Sequence, residues 1–485
     1  MNDQIAKLHP VEIWENFVAL NAVPRPSKKE EKVRQFMLDF GQKLGLKTFE
    51  DPIGNVIIKK PATPGMENRK TVALQAHLDM VPQKNKGTQH DFEKDGINML
   101  IDGDWVTADG TTLGADNGIG VAAIMGLLAS DNIPHPPLEA LFTIDEETGM
   151  TGAQHLQEGI LEAEIMLNLD TEEDDEIDIG CAGGIDITAK GKYNEIDTDK
   201  NGKAYHIKVK GLTGGHSGMD IHLYRGNANK ILNRLLYKAA EKGLKVAEIH
   251  GGGLRNAIPR EAEAIVVLPA DKVAEILEDM QNLSETIKVE QARQDPNLNF
   301  VFEQVDMPQK VMEQQAQDKL LKTVYAAHNG VFRMSPDMED LVETSNNVAS
   351  VNVAGGQIQI DNLTRSSVES NKEDLANNLK SAYELGGLQV ELSGSYPGWK
   401  PNPHAQILSV MTDLYEKMYH EKPKVVACHA GLECGIIKSH YPDMEMISFG
   451  PTIQGAHSPD ERVSIKSVQK FWQYLKETLK NIPEK

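Results

Sequence analysis

Apolar runs bounded by Gly, Asn or Asp alternate with helix-period stretches along the first part of the chain. GNVIIKK, TVALQAH, ALFTID and IMLNLD are apolar, β-branched or aromatic in content and run for roughly four to eight positions, as strands do. Asp116 to Ser130, DNGIGVAAIMGLLAS, opens on an Asp-Asn pair suited to cap a helix and has an almost wholly apolar body. It predicts a buried crossover helix. The rhythm continues to about residue 185 and predicts an α/β fold, with a mixed, mostly parallel sheet covered by helices on both faces.

A second pattern begins near Ala204. AYHIKVKGL reads as strand, Gly226 to Lys242 as helix and AEAIVVLPA as strand, a βαβ-like stretch whose polar alternation suits a sheet with one face in water. NVASVNVAG, a helix around Glu373 to Leu385 and LQVELSG make another round, so two related α+β units are expected in one smaller domain. From about Pro403 the first pattern returns, with helix HAQILSVMTDLYEKMY, strands KVVAC and MEMISFG, and a closing helix SIKSVQKFWQYLKETLK. Residues 1–186 and 397–485 are therefore expected to form one domain and residues 187–396 a domain inserted into it, as suits a chain of 485 residues. EEDDEID at 172–178 is expected to be a solvated loop.

Charge narrows the partners. Asp and Glu number 72 against 50 Lys and Arg, a net charge of −22 that would repel a phosphate backbone, so no nucleic acid is expected. The N-terminal stretch lacks a basic segment followed by an apolar core, and no apolar run approaches membrane-span length. A cytoplasmic protein with no membrane partner is expected. Cys181, Cys428 and Cys434 imply no disulfide framework, and ACHAGLECG lacks the spacing of a structural zinc site.

Five metal-capable side chains fall in five short motifs: His77 in LQAHLDM, Asp116 in LGADNGIG, Glu147 in TIDEETG, Asp170 in LNLDTEED and His457 in GAHSPDE. Each has a plain alternative, such as a strand-end histidine, a helix cap, an acidic turn or a loop histidine. Their joint placement at strand ends and Gly-rich turns, with two imidazoles and three carboxylates, matches the ligand set of zinc, manganese or cobalt. It suggests a two-metal hydrolase. Asp79, two residues beyond His77, leaves the strand on the same face and can hold the imidazole. Glu146 and Glu147 are adjacent and point apart, so one can bind metal while the other handles protons.

HLDMVP, GADNGIG, the DEETG turn, NLD and GAHSPDE together resemble the di-metal exopeptidases that include aminoacylase, carboxypeptidase G, carnosinase and peptidase T. The resemblance runs in motif order to the last helix and is nearest to the family's bacterial dipeptidases. It implies two divalent metal ions, zinc with cobalt or manganese as alternatives, bridged by Asp116, with His77 and Asp170 on one and Glu147 and His457 on the other. It makes Glu146 the general base, Asp79 the residue that steadies His77, and the Asp116–Asn117 peptide bond cis. In the inserted lid and dimerisation domain it makes His216 of GLTGGHSGMDIH the donor to the substrate carbonyl, within its own subunit or across a homodimer. Asn256 and Arg365 would lie near the substrate, Arg365 as partner of a dipeptide's carboxylate. Gly431 and Glu433 of HAGLECG would meet the substrate's ends, a free amino group among them. The implied reaction is hydrolysis of Xaa-His and other unblocked dipeptides. A tripeptidase, or an amidohydrolase or desuccinylase of acylated amino acids, would share the ligands, whereas a binding protein that only keeps the fold would have no use for Glu146.

Overall fold

The structure is a computed structural model that describes residues 2–485. The chain divides into two compact units, the first made of residues 1–180, 399–427 and 432–485 and the second of residues 181–398 and 428–431.

The first unit is built on an eight-stranded sheet in the order Lys47–Glu50, Val56–Lys60, Leu138–Thr143, Val72–His77, Ile165–Asn168, Glu445–Ser448, Glu176–Cys181 and Lys424–Cys428. Its four central strands, from Leu138–Thr143 to Glu445–Ser448, run parallel, and antiparallel neighbours flank them. Burial accounts for their sequences: Val72–His77, Leu138–Thr143 and Ile165–Asn168 are buried at every position, so they read as continuous apolar runs rather than as alternation. The helix Ala115–Ala129 crosses between the first two of these and is buried along nearly its whole length, packed on the helix Val11–Asn21. A small four-stranded sheet, Ile453–Gln454, Arg462–Ser464, Trp105–Ala108 and Met99–Asp102, completes the unit.

The second unit carries a nine-stranded sheet whose pairings are all antiparallel. This corrects the βαβ reading of the stretch after Ala204. The helix Ala228–Ala240 is followed by a strand, Lys245–Gly252, which pairs antiparallel with Ala262–Leu268 and removes the need for a parallel crossover. The helices Ala228–Ala240, Gln314–Ala326 and Glu369–Leu385 supply buried side chains to one core with this sheet.

The acidic run at 172–178 also departs from expectation. Its second half opens the strand Glu176–Cys181, and Asp178 is buried with its carboxyl against the Thr171 hydroxyl at 2.8 Å. A hydroxyl partner and sheet pairing hold this acid inside, where charge patterning alone predicted water. Among the described residues no helix is long and apolar enough to cross a membrane.

Candidate metal centre

Three neighbouring parallel strands end at one rim. His77 closes Val72–His77, Glu146 and Glu147 occupy the turn beyond Leu138–Thr143, and Asp170 lies two residues beyond Ile165–Asn168. The carboxyl ends of parallel strands are where an α/β sheet leaves a crevice for chemistry. Asp116 arrives from the start of the helix Ala115–Ala129, and His457 from the loop between the paired strands Ile453–Gln454 and Arg462–Ser464.

The five side chains converge. His77 Nε2 lies 3.1 Å from Asp116 Oδ1 and 3.5 Å from Asp170 Oδ1. His457 Nε2 lies 3.2 Å from Asp116 Oδ2 and 2.9 Å from Glu147 Oε2. Asp116 thus turns one oxygen to each imidazole. Its peptide bond to Asn117 is cis, and its side chain caps nothing. Burial alone would raise the Asp116 carboxyl, yet hydrogen bonds from His457 and His77 hold it well below the usual carboxylate range. Bonds to Asp116 and Glu147 push the His457 imidazole up to about 11. His77 is also raised, Asp170 and Asp116 outweighing the opposite effect of burial. Glu146 is raised well above the carboxylate range, chiefly by burial and then by Asp170, Glu433 and Glu147.

Supporting groups set these positions. The carboxylate of Asp79, fully buried, accepts from the backbone N–H of Glu146 at 3.0 Å and of Glu147 at 3.2 Å. His77 Nδ1 sits 3.1 Å from the Asp79 carbonyl oxygen and 3.4 Å from its Oδ1, which leaves Nε2 free to face the acids. The turn itself is tied by Asp145, left-handed at φ 53°, whose carboxylate accepts from the hydroxyls of Thr148 and Thr151. Asn117 donates to Asp170 and, at 2.8 Å, to the Leu169 carbonyl.

Two of the supports went unseen in the sequence. Glu461 accepts from the consecutive backbone N–H groups of Leu113, Gly114, Ala115 and Asp116 at 2.7–3.2 Å, so the open N-terminus of the crossover helix is satisfied by an acid some 345 residues further on. Its signal was its place in the His457 motif, GAHSPDE. Arg25, 1% exposed, donates to the carbonyls of Leu78, Asp79 and Gly114, knitting the His77 and Asp116 loops together. No local pattern marks it. Glu172, half-buried, is raised to about 8, first by burial and then by Asp116 and Asp170.

Glu433 also belongs to this unit. It is 1% exposed, and its Oε2 accepts from Gln75 Nε2 and Thr143 Oγ1, each at 2.7 Å, while Oε1 is buried without a partner.

The second unit holds the remaining candidates. His216 Nδ1 accepts from the backbone N–H of Gly218 at 3.2 Å and Met219 at 3.0 Å, which places the ring proton on Nε2. Burial and then Arg365 lower its pKa, so the ring is neutral and a donor. Arg365 is buried, gives Nη1 to the Tyr396 hydroxyl at 2.9 Å and leaves Nε unpartnered. His429 is buried, 2.8 Å from Ser345 Oγ. Asn256 is exposed and accepts at its carbonyl from Ser217, and Gly431 is half-buried.

The donors fit divalent cations. His77, Asp116 and Asp170 form one group and Asp116, Glu147 and His457 another, the ligand atoms of each lying within 4.8 Å of one another. They share Asp116, and Glu147 Oε1 is buried with no hydrogen-bond partner. Carboxylates gathered this way in a low-dielectric pocket call for positive charge.

Residues 73–481 match the pattern of the peptidase family M20/M25/M40. The cytosol non-specific dipeptidase of Escherichia coli is 43% identical over 483 residues, covering 99% of this chain and 100% of that protein. The crystal structure of aminoacylhistidine dipeptidase from Vibrio alginolyticus is 46% identical and superposes with a TM-score of 0.95, covering 99% of this chain and 98% of that one. Aminopeptidase PepT from Bacillus cereus, 16% identical, shares the fold at a TM-score of 0.57 over 98% of this chain and 99% of its own.

Proposed function

Because the chain belongs to the peptidase family M20/M25/M40, we propose that it is a metal-dependent dipeptidase that hydrolyses Xaa-His and other unblocked dipeptides. One observation carries the metal reading: Asp116 offers one oxygen to each of two groups that each hold an imidazole and a second carboxylate. His77 and Asp170 would hold one ion and Glu147 and His457 the other, with Asp116 bridging; zinc suits the set, and cobalt or manganese would also be accepted. When bound, the pair would supply Lewis acidity to the scissile carbonyl and to the attacking water.

The chain's own groups do the rest. Glu146, half-buried and with its pKa raised, takes a proton from the water and returns it to the leaving amine. Asp79 keeps Glu146 and Glu147 pointed at their separate tasks through their backbone N–H groups. The neutral His216 presents Nε2–H, the form needed to stabilise an oxyanion, and serves its own subunit or its partner in a homodimer. Arg365 is assigned to the substrate carboxylate, Asn256 to a place near the substrate, and the Gly431 backbone and the free oxygen of Glu433 to the substrate's ends, its amino group among them. The inserted unit is read as lid and dimerisation domain, and the protein as cytosolic.

A panel of carnosine-like dipeptides, tripeptides and N-acylated amino acids tests the substrate class. Turnover of the unblocked dipeptides is expected; turnover of acylated substrates alone would overturn the dipeptidase assignment.

A further inference from the structure

A row of polar side chains crosses the first unit's sheet one register below the rim. Gln75, Asn168, Ser448 and Asp178 are register partners on four adjacent strands, and all are buried. Gln75 and Asn168 each stand two residues before a candidate ligand, His77 and Asp170, and therefore share their face of the sheet. The links run unbroken. Gln75 Nε2 donates to Glu433 at 2.7 Å, Asn168 Nδ2 donates to Gln75 Oε1, and Ser448 Oγ donates to Asn168 Oδ1. Ser448 Oγ then lies 2.8 Å from Thr171 Oγ1, which lies 2.8 Å from Asp178 Oδ2.

With Asn168 turning Oδ1 to Ser448 and Gln75 turning Oε1 to Asn168, a count of protons gives the row its direction. Between Asn168 Oδ1 and Asp178 there are three successive oxygen-to-oxygen links, and each needs one hydrogen. The hydroxyls of Ser448 and Thr171 bring two, and the Asn168 carbonyl brings none. Ser448 spends its hydrogen on Asn168, Thr171 spends its own on Ser448, and the third must come from Asp178. At the far end the same direction delivers an N–H to Glu433, and the Thr143 hydroxyl adds a second donor. Donors alone suit a carboxylate.

We infer that Asp178 holds a proton and, through the row, keeps Glu433 ionised, which makes Asp178 a positioning residue for the acceptor of the substrate's amino group. The reverse arrangement, with the proton on Glu433, would require both amides and both hydroxyls to turn together. Burial pushes the Asp178 carboxyl up to about 7, in keeping with a proton held there near neutral pH. Glu433 is faced by His77, Asp170 and Asp79, and Asp178 by Glu176. The consequence for substrate binding rests on the reading of Glu433 as the ammonium's partner; the location of the proton does not.

Infrared difference spectra of the metal-loaded enzyme at neutral pH locate that proton. Asp178→Asn is expected to remove a protonated-carboxyl carbonyl band that shifts when aspartate is labelled with carbon-13 at its side-chain carboxyl, and Glu433→Gln to leave it in place. A band lost in Glu433→Gln and kept in Asp178→Asn, or no aspartate-sensitive band, would overturn the inference, whatever the substrate proves to be. In kinetics, Asp178→Leu should raise KM for an unblocked dipeptide about tenfold with kcat little changed. Asp178→Asn, whose amide can donate to Thr171, should restore it. An unchanged KM in the Leu variant, with the infrared result as expected, would sever Glu433 from amino-group binding while leaving the proton on Asp178.

Discussion

The carboxylate of Asp79 accepts a 3.0 Å hydrogen bond from the backbone N–H of Glu146. Its other oxygen takes the N–H of Glu147, and the same side chain stands 3.4 Å from His77 Nδ1. Asp79→Asn would turn an amide toward groups that are themselves donors. Metal affinity and kcat should each fall about 10- to 100-fold, in line with the loss of an outer partner of a metal ligand. Metal titration and steady-state kinetics check this, and wild-type values for both would detach Asp79 from the site.

Glu146→Gln keeps the shape of the turn and removes the proton acceptor. The rate should drop about 10²- to 10⁴-fold, the contribution general acid–base catalysis makes. Metal content, measured by elemental analysis after dialysis, should not change, because the proposed ligands beside His457 are Asp116 and Glu147, although Glu146 also lies within reach of His77 and Glu147. A rate within about tenfold of wild type would take the base role from Glu146.

The strand-end side chains were legible because metal-capable residues there follow buried apolar strands. TVALQAH and IMLNLD are mostly apolar and end on His77 and Asp170, whose metal-capable side chains stand out against the residues before them. The polar row lies in the same strings, where Gln75 precedes His77 and Asn168 precedes Asp170 by two positions each, but a single amide inside an apolar run carries no signal of its own. Arg25 has no local signal, since tertiary structure alone brings the carbonyls of Leu78 and Gly114 near it, and Glu461 is marked only by its place in GAHSPDE, because the backbone N–H groups it serves lie some 345 residues away. In the second unit the alternation gave strands without their pairing, and Lys245–Gly252 escaped notice because its sequence, KVAEIHGG, is short of apolar residues and ends in glycine.

Glu461→Ala would leave four backbone N–H groups in a buried loop without their acceptor. A loss of about 3 kcal/mol in stability is expected, given about 1–3 kcal/mol for each unsatisfied group and partial rescue by water. Glu461→Gln, with one acceptor oxygen in place of two, should fall between. Denaturant unfolding of both variants gives the comparison, and an Ala variant as stable as wild type would mean that the loop does not depend on this carboxylate.

Gly120 faces Asn117 Oδ1 and the Leu169 carbonyl, where a Cβ would come within 2.7 Å of the latter. Gly120→Ala must therefore push the crossover helix off the Asp170 loop, and overpacking of this kind costs about 1–3 kcal/mol. Activity should fall with stability, because Asn117 donates to both Leu169 and Asp170. Gly126, on the same helix, meets nothing closer than 3.4 Å, so Gly126→Ala should be neutral or gain up to about 1 kcal/mol from helix propensity. Equal effects at the two positions would contradict the close approach at Gly120.

In the metal-free protein both imidazoles compete for the acids as cations, His457 with a pKa pushed up to about 11 and His77 also raised. A metal must displace those protons, so apparent affinity should rise with pH, and binding near neutrality should release about one proton for each imidazole freed. Calorimetry in buffers of different ionisation enthalpy measures that release; none would exclude the imidazoles as ligands. The fold without metal should show the opposite trend. His457 is raised above its unfolded value of about 6.5, so its pairing with Asp116 and Glu147 stabilises fully below that pH and is lost as pH climbs through about 11. The stability gap between chelated wild type and chelated His457→Gln should therefore narrow from pH 7 upward, and a constant gap would show that the pair contributes nothing through charge.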